Sequence, residues 1–188
     1  MEPKEEDDFS FHNHIIGTNI PPEYIPSVEK GVQEIGEMGV LVGCPLTKMK
    51  FVLEDGAYHA VDSSDMAFRT ATMQAIREAI RKSDSGSILE PIMKVEIQCP
   101  TEFQGNVIGG INRRRGQISS SDSNADGIFC TITADVPLSK MFGYSTDLRS
   151  NTQGKGEFSM EYLCHSMLPR DEQNNVIKKH ETERNKKS

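Results

Sequence analysis

The sequence predicts an α+β protein of two domains, and three observations carry that reading. Residues 88–164 show a strand-helix-strand-strand-helix-strand order, residues 9–82 carry a separate α/β pattern, and a short polar, glycine-containing break, KSDSGS at 82–87, lies between them. The order β-α-β-β-α-β is the split-βαβ, ferredoxin-like arrangement. A chain of 188 residues can hold one ordinary domain or two small ones, so pattern rather than size decides.

Residues 9–16, FSFHNHII, alternate apolar Phe9, Phe11 and Ile15 with polar His12 and His14, a strand with both histidines on one face. A metal site needs a third ligand, and none stands nearby in sequence, so solvent-facing histidines are expected. Pro21-Pro22 opens a helix with Ile25, Val28, Val32 and Ile35 on one face, ended by Gly36 and Gly39. A strand over 46–54 follows, with Leu46, Met49, Phe51 and Leu53 inward. From Ser64 to Lys82 the period is helical again. Phe68, Ala71, Ala75, Ile76 and Ala79 form one face, small enough to pack closely on a sheet, and Arg77 and Arg81 stand on a solvated one.

Beyond the break, ILEPIMKVEIQC is a strand in which Pro91 predicts an edge position or a bulge. A helix over 102–115, with Phe103, Val107, Ile108 and Ile111, stops at Gly116. GQISSSDS and GIFCTITADVP form a hairpin, Leu138 to Arg149 a short helix, and GKGEFSMEYLC the last strand. The end of the chain, PRDEQNNVIKKHETERNKKS, has Val176 and Ile177 as its branched apolar residues and reads as a frayed, disordered tail. The expected divisions are 1–83, 84–165 and a tail over 166–188.

With 36 % apolar residues, no Trp and a mean hydropathy of -0.51, the chain carries highly polar segments. No run of about 18 apolar residues offers a membrane span, so no membrane partner is expected. The opening MEPKEEDD has neither an apolar core nor an Arg-rich amphipathic pattern, and no secretory or transit signal is visible. Cys44, Cys99, Cys130 and Cys164 lie far apart, without a CxxC pair or a His cluster. That is no zinc pattern; it predicts reduced, mostly buried thiols, with Cys99 and Cys164 partly exposed at strand ends. A formal net charge of -7 argues against bulk, non-specific nucleic-acid binding. Any RNA contact has to be local, and Arg113, Arg114 and Arg115 form one compact basic cluster.

LEDGAYHAVDSS, residues 53–64, stands out as a loop held at both ends. Asp55-Gly56 is a turn signal, and Asp62, Ser63 and Ser64 are helix-capping types just before the next helical period. Its tip is Gly56, Ala57, Tyr58, His59 and Ala60. An aromatic ring beside an imidazole can stack on bases or hydrogen-bond to phosphate and 2′-OH without a positive net charge. His59, Asp62 and Ser63 also have the residue types of a catalytic triad. No oxyanion hole is visible, however, and Asp62 and Ser63 already read as caps, so recognition is preferred over hydrolysis. A phosphate-cradling GxxxxGKS/T loop is absent from the sequence, so the chain by itself is expected neither to bind nor to hydrolyse GTP.

IPPEYIPSVEKG (20–31), DGAYHAVDSSDMAF (55–68), ILEPIMKVEI (88–97) and DVPLSKMFGYSTDLRSNTQGKGEF (135–158) resemble the C-terminal part of translation elongation factor G. The resemblance runs from about Phe9 to Tyr162. GTNIP at 17–21 and FQGNVIGGINRRRG at 103–116 resemble the mitochondrial translocation factor more than bacterial ones. The resemblance implies that residues 9–82 are most of the family's domain IV, a ribosomal-protein-S5-domain-2-like α/β module with a left-handed crossover, whose first segment and second tip loop lie further upstream. Residues 88–164 would be domain V, which has the ferredoxin-like fold.

It further implies a GTPase whose GTP and Mg²⁺ sit in a G domain outside this sequence, no cofactor here, and a monomer acting on the ribosome and the tRNA-mRNA pair, in the mitochondrial matrix for the organellar form. The tip around His59 would enter the small-subunit decoding region, without the diphthamide modification of archaeal and eukaryotic cytosolic relatives. Arg113, Arg114 and Arg115 would complement the helix dipole or contact RNA at the large-subunit stalk base. Tyr144, Asp147, Arg149 and Ser150 would be hinge and packing residues on a helix facing the GTPase side. Rival readings are an organellar recycling paralogue, a bacterial elongation factor G, and, outside the family, a ferredoxin-like module for a small ligand or a protein partner.

Overall fold

The structure, a computed structural model, describes residues 9–83 and 86–186. The acidic opening and part of the polar break therefore lie outside the described residues. Two units are present, one of residues up to Gly86 together with those from Asp171 onward, the other of Ser87–Arg170, and each has its own apolar cluster.

In the first unit β1 (Phe9–Asn13) and β2 (Met49–Leu53) pair in parallel, Phe11 opposite Phe51 and Asn13 opposite Leu53. Parallel neighbours need a long crossover, and α1 (Ile25–Met38), entered through a 3-10 turn at Pro22–Tyr24, lies within it. The helix runs through Gly36, which is buried in it, and stops at Gly39. β2 is followed by the loop of residues 54–64 and by α2 (Asp65–Ser83). Val32 and Ile35 of α1 meet Ile76 and Ile80 of α2, with Phe11, Leu46, Met49 and Phe51 packed against them.

The buried face of α2 differs from the one expected. Ala71, Ala75 and Ala79 are exposed, and Ala71 and Ala75 line an open apolar groove of about 310 Å³ with Phe11, Val28 and Phe51. The close approach is between the helices, at Gly31, where a Cβ would come within 2.9 Å of the Arg69 carbonyl and 3.1 Å of the Thr72 side chain. Alanine periodicity alone cannot say which face a neighbour will cover.

The second unit has an antiparallel four-stranded sheet in the order β4-β5-β3-β6, the ferredoxin-like order, built from β3 (Leu89–Pro100), α3 (Gln104–Arg113), β4 (Gln117–Ser123), β5 (Phe129–Pro137), α4 (Leu138–Met141), α5 (Tyr144–Asn151) and β6 (Glu157–Met167). The strand alternation dictates the layering. Val95, Ile97 and Cys99 face one side opposite Ala134, Ile132 and Cys130, and both helices cover that side with Val107, Ile111, Tyr144 and Leu148. Lys94, Glu96 and Gln98 point the other way and stay exposed.

Pro91 sits in a central strand, at its end rather than at a sheet edge. Pairing with β5 begins only at Ile92, and the register with β6 shifts between Ile92 and Met93, so the proline's missing N–H costs no ladder bond there. The helix expected over 138–149 is two pieces, because Gly143 turns left-handed with φ 75°. Residues expected as a disordered tail form α6 (Arg170–Asn185). Asp171 and Glu172 in its first turn and Arg184 in its last suit the helix dipole, and Gln173 donates to the Gly86 carbonyl at 3.1 Å. Few apolar residues did not prevent a helix held by end charges and polar contacts.

Cys99, expected partly exposed, is fully buried, and its sulfur lies 3.6 Å from that of Cys130 on the neighbouring strand. Burial, and then the contact with Cys130, pushes the Cys99 thiol up to about 12. The unreactive protonated form therefore prevails near neutral pH. With a dithionitrobenzoate reagent at pH 8, exposed Cys44 should react first and half-buried Cys164 more slowly. Cys99 and Cys130 should react only when the unit unfolds; rapid titration of all four thiols in the native chain would refute this burial.

Candidate functional site

β1 and β2 end side by side, with the His14 amide donating to the Leu53 carbonyl at 2.8 Å, so residues 14–20 and 54–64 leave the sheet at the same end. Asp55 makes the first attachment of the second loop. Its Oδ1 accepts from the Asn19 side-chain amide at 2.9 Å and from the Gly56 N–H at 2.7 Å. These two bonds, Asn19's foremost, hold its carboxyl below the usual carboxylate range. At Gly56 an added Cβ would lie 2.4 Å from Cδ1 of Ile20, itself only 3 % exposed, so a larger residue would have to displace that side chain.

Tyr58 is the next attachment. Its ring lies 5.8 Å from that of Tyr24, which stacks on Phe68 at 4.8 Å. The aromatic expected to be free for stacking on a base is thus half engaged in holding the loop. Beyond it the chain closes on itself. The His59 amide donates to Oγ of Ser63 at 3.0 Å, and the His59 carbonyl accepts from the amides of Asp62 and Ser63 at 3.2 and 3.0 Å. Ser64 caps α2 by accepting from the Ala67 amide at 3.1 Å, and the Ser27 hydroxyl donates to Asp65 at 2.7 Å.

Of the three capping types only Ser64 caps; the Ser63 oxygen is occupied by His59, and Asp62 is exposed. The contact between His59 and Ser63 runs through the backbone amide, and among the described residues no hydrogen bond joins the imidazole to Asp62 or Ser63. The arrangement is a rigid turn, not a nucleophile and its base. Its product is an exposed His59 imidazole, with Ala57, Ala60 and exposed Val61 around it. His12 and His14 are exposed with ring centroids 6.3 Å apart, and among the described residues no group of three His, Cys, Asp or Glu side chains is placed to hold a metal ion.

The arginine cluster divides in three. Arg113 ends α3, is exposed, and lines a cleft of about 190 Å³ between α3 and α5 together with Gly110, Tyr144 and Asn151. Arg114 turns inward. Its guanidinium donates to the carbonyls of Lys140 and Phe142, pairs with the Asp147 carboxylate and lies 5.2 Å above the Tyr144 ring. Arg115, at φ 62°, pairs at 2.7 Å with Glu90, a carboxylate only 7 % exposed that also accepts from Ser139 at 3.3 Å. Arg114 and Arg115 thus fasten the α4–α5 corner and the start of β3, and of the three it is Arg113 that is presented outward. Tyr144 and Asp147 have packing and pairing roles, whereas Arg149 and Ser150 are exposed.

Asn19, Tyr24 and Glu90 were not singled out from the sequence. Asn19 carried a faint signal, a turn-type residue in the glycine-containing GTN; Tyr24 and Glu90 owe their roles to residues far along the chain.

Comparison with known proteins gives a consistent result. The family description "Elongation factor G, domain IV" matches residues 1–84, and "Elongation factor G C-terminus" matches residues 87–176. Elongation factor G 2 of Bdellovibrio bacteriovorus is 49% identical over 184 residues, covering 97% of this chain. Elongation factor G 1 of Borreliella burgdorferi is 53% identical over 171 residues, covering 90%. The chain spans about a quarter of these relatives, 26% and 24% of their lengths. A solved structure from Thermus thermophilus superposes with a TM-score of 0.72 at 29% identity, over 92% of this chain and 26% of that one.

The arginine geometry makes a separable prediction. Arg115→Ala leaves the Glu90 carboxylate buried without its cation and should cost about 2–4 kcal/mol in denaturant unfolding. Arg113→Ala should cost less than about 0.5 kcal/mol; equal losses would contradict the division of roles.

Proposed function

Because this chain belongs to the elongation factor G family, of which it carries domain IV and the C-terminal domain, we propose that it is the ribosome-facing part of a translation factor that drives tRNA and mRNA through the ribosome. Members of the family act on the ribosome. GTP and Mg²⁺ belong to the family's G domain, which is not among the matched regions, so the energy source is assigned to another part of the whole factor. In this reading His59 enters the small-subunit decoding region and occupies space vacated by tRNA, while Arg113 meets the stalk base of the large subunit.

The observation that carries the reading is the tip itself: an exposed imidazole at the end of a loop tied down on both flanks. Such a group contacts RNA through stacking or hydrogen bonds to phosphate and 2′-OH, and needs no net positive charge. Arg113 supplies one local cation, in keeping with the formal charge of -7.

A second reading concerns the organism's compartment. GTNIP and FQGNVIGGINRRRG favour the mitochondrial translocation factor and hence the matrix, whereas bacterial relatives at 49% and 53% identity favour a bacterial-type factor equally. Movement of tRNA and mRNA is common to both. Fractionation of cells producing the full-length, tagged factor separates them, since recovery outside mitochondria would overturn the matrix assignment.

His59→Ala in the full-length factor should slow single-round translocation about ten- to a hundredfold, the effect of losing contacts worth about 1–3 kcal/mol in the transition state. Ribosome-stimulated GTP hydrolysis should stay nearly unchanged, because it takes place in another domain and the tip acts on a later step. Joint loss of both activities in a folded variant would assign the tip to activation; loss of neither would make His59 an ordinary loop residue.

A further inference from the structure

The loop of residues 14–20 carries no tip residue of its own, yet it supplies two of the contacts that shape the tip. Ile20 fills the space beneath Gly56, and Asn19 bonds the Asp55 carboxylate across 36 positions of sequence. Ile20 is buried and belongs to the packing. Asn19 is exposed, and so is Asp55, which makes their bond a weak contributor to folding. Its place in the chain is what matters: it ties the loop to residues 14–20 where the chain leaves β2, upstream of the Tyr58 and His59 attachments.

We propose that Asn19, acting through Asp55, is a positioning residue that aims the His59 tip at its ribosomal RNA target. The proposal rests on the reading of His59 given above. Without the Asn19 amide the Asp55 carboxylate keeps the Gly56 N–H, and Tyr58, Ser63 and Ser64 keep their own partners. The loop stays folded but gains freedom at its root, and an RNA contact made at the end of a lever is sensitive to small changes at its base.

The test uses the full-length factor with His59→Ala and three further variants: Asn19→Ala, Asn19→Asp, and Asn19→Ala with His59→Ala. Single-round translocation at saturating factor should slow about threefold to tenfold in Asn19→Ala. The factor concentration giving half-maximal rate and the ribosome-stimulated GTP hydrolysis should not change. Asn19→Asp sets two carboxylates against each other and should be slower still. Asn19→Ala combined with His59→Ala should be no slower than His59→Ala alone, because a positioning residue has nothing left to position. Additive slowing in that double variant, or a faster rate in Asn19→Asp than in Asn19→Ala, would overturn the proposal. A normal rate in Asn19→Ala beside a slow His59→Ala overturns the positioning role and leaves the tip reading standing. Normal rates in both remove the tip reading and this proposal with it.

Discussion

Ile20 beneath Gly56 is the contact on which the exposed end of the first unit depends. Residues 54–64 have no apolar core of their own, so the loop can be ordered only by borrowing one, and it borrows the side chain that ends the neighbouring connection. A Cβ on Gly56 would press on Cδ1 and Cγ1 of Ile20, and Ile20 is itself buried, so a larger residue on one side would displace packing on the other. Once that pair is closed, Asp55, Tyr58 and Ser63 each find a partner within reach, and an exposed imidazole results from a chain of otherwise ordinary contacts.

The second unit reaches rigidity by another route. Its sheet and two helices share one continuous apolar layer, in which Val95, Ile97, Ile111 and Ile132 are fully buried, and removal of such a side chain costs about 2–5 kcal/mol. Two arginines fasten its irregular parts. Arg114 collects carbonyls left at the corner between α4 and α5, and Arg115 neutralises buried Glu90. Three consecutive basic residues therefore have three different surroundings, because the turn at the end of α3 points their side chains in different directions. A count of charges in sequence overstates the cation available to a partner.

The His59 tip and Arg113 are both presented outward. Each is held by the elements behind it, the tip by β2 and α2, the arginine by α3. In the role proposed above, such groups would meet a large, preformed surface.

The sequence by itself determined the order of the strands and main helices as far as residue 164, the ferredoxin-like class of the second unit and the presence of a loop held at both ends. Period-two alternation in IMKVEIQC, helical spacing in α1 and α3, and the turn chemistry of Asp55-Gly56 are local properties, written within a few residues of where they act. What the tertiary structure decided was non-local. The partnership of Asn19 with Asp55, the capture of Tyr58 by Tyr24, the Glu90–Arg115 pair and the meeting of Cys99 with Cys130 all join residues distant in sequence. So too the exposed alanine face of α2 and the helix over residues 170–185 depend on which neighbour is at hand to cover an apolar face or accept a polar bond. Periodicity says that a side chain needs a partner of a given kind, and only the folded chain says which one it meets.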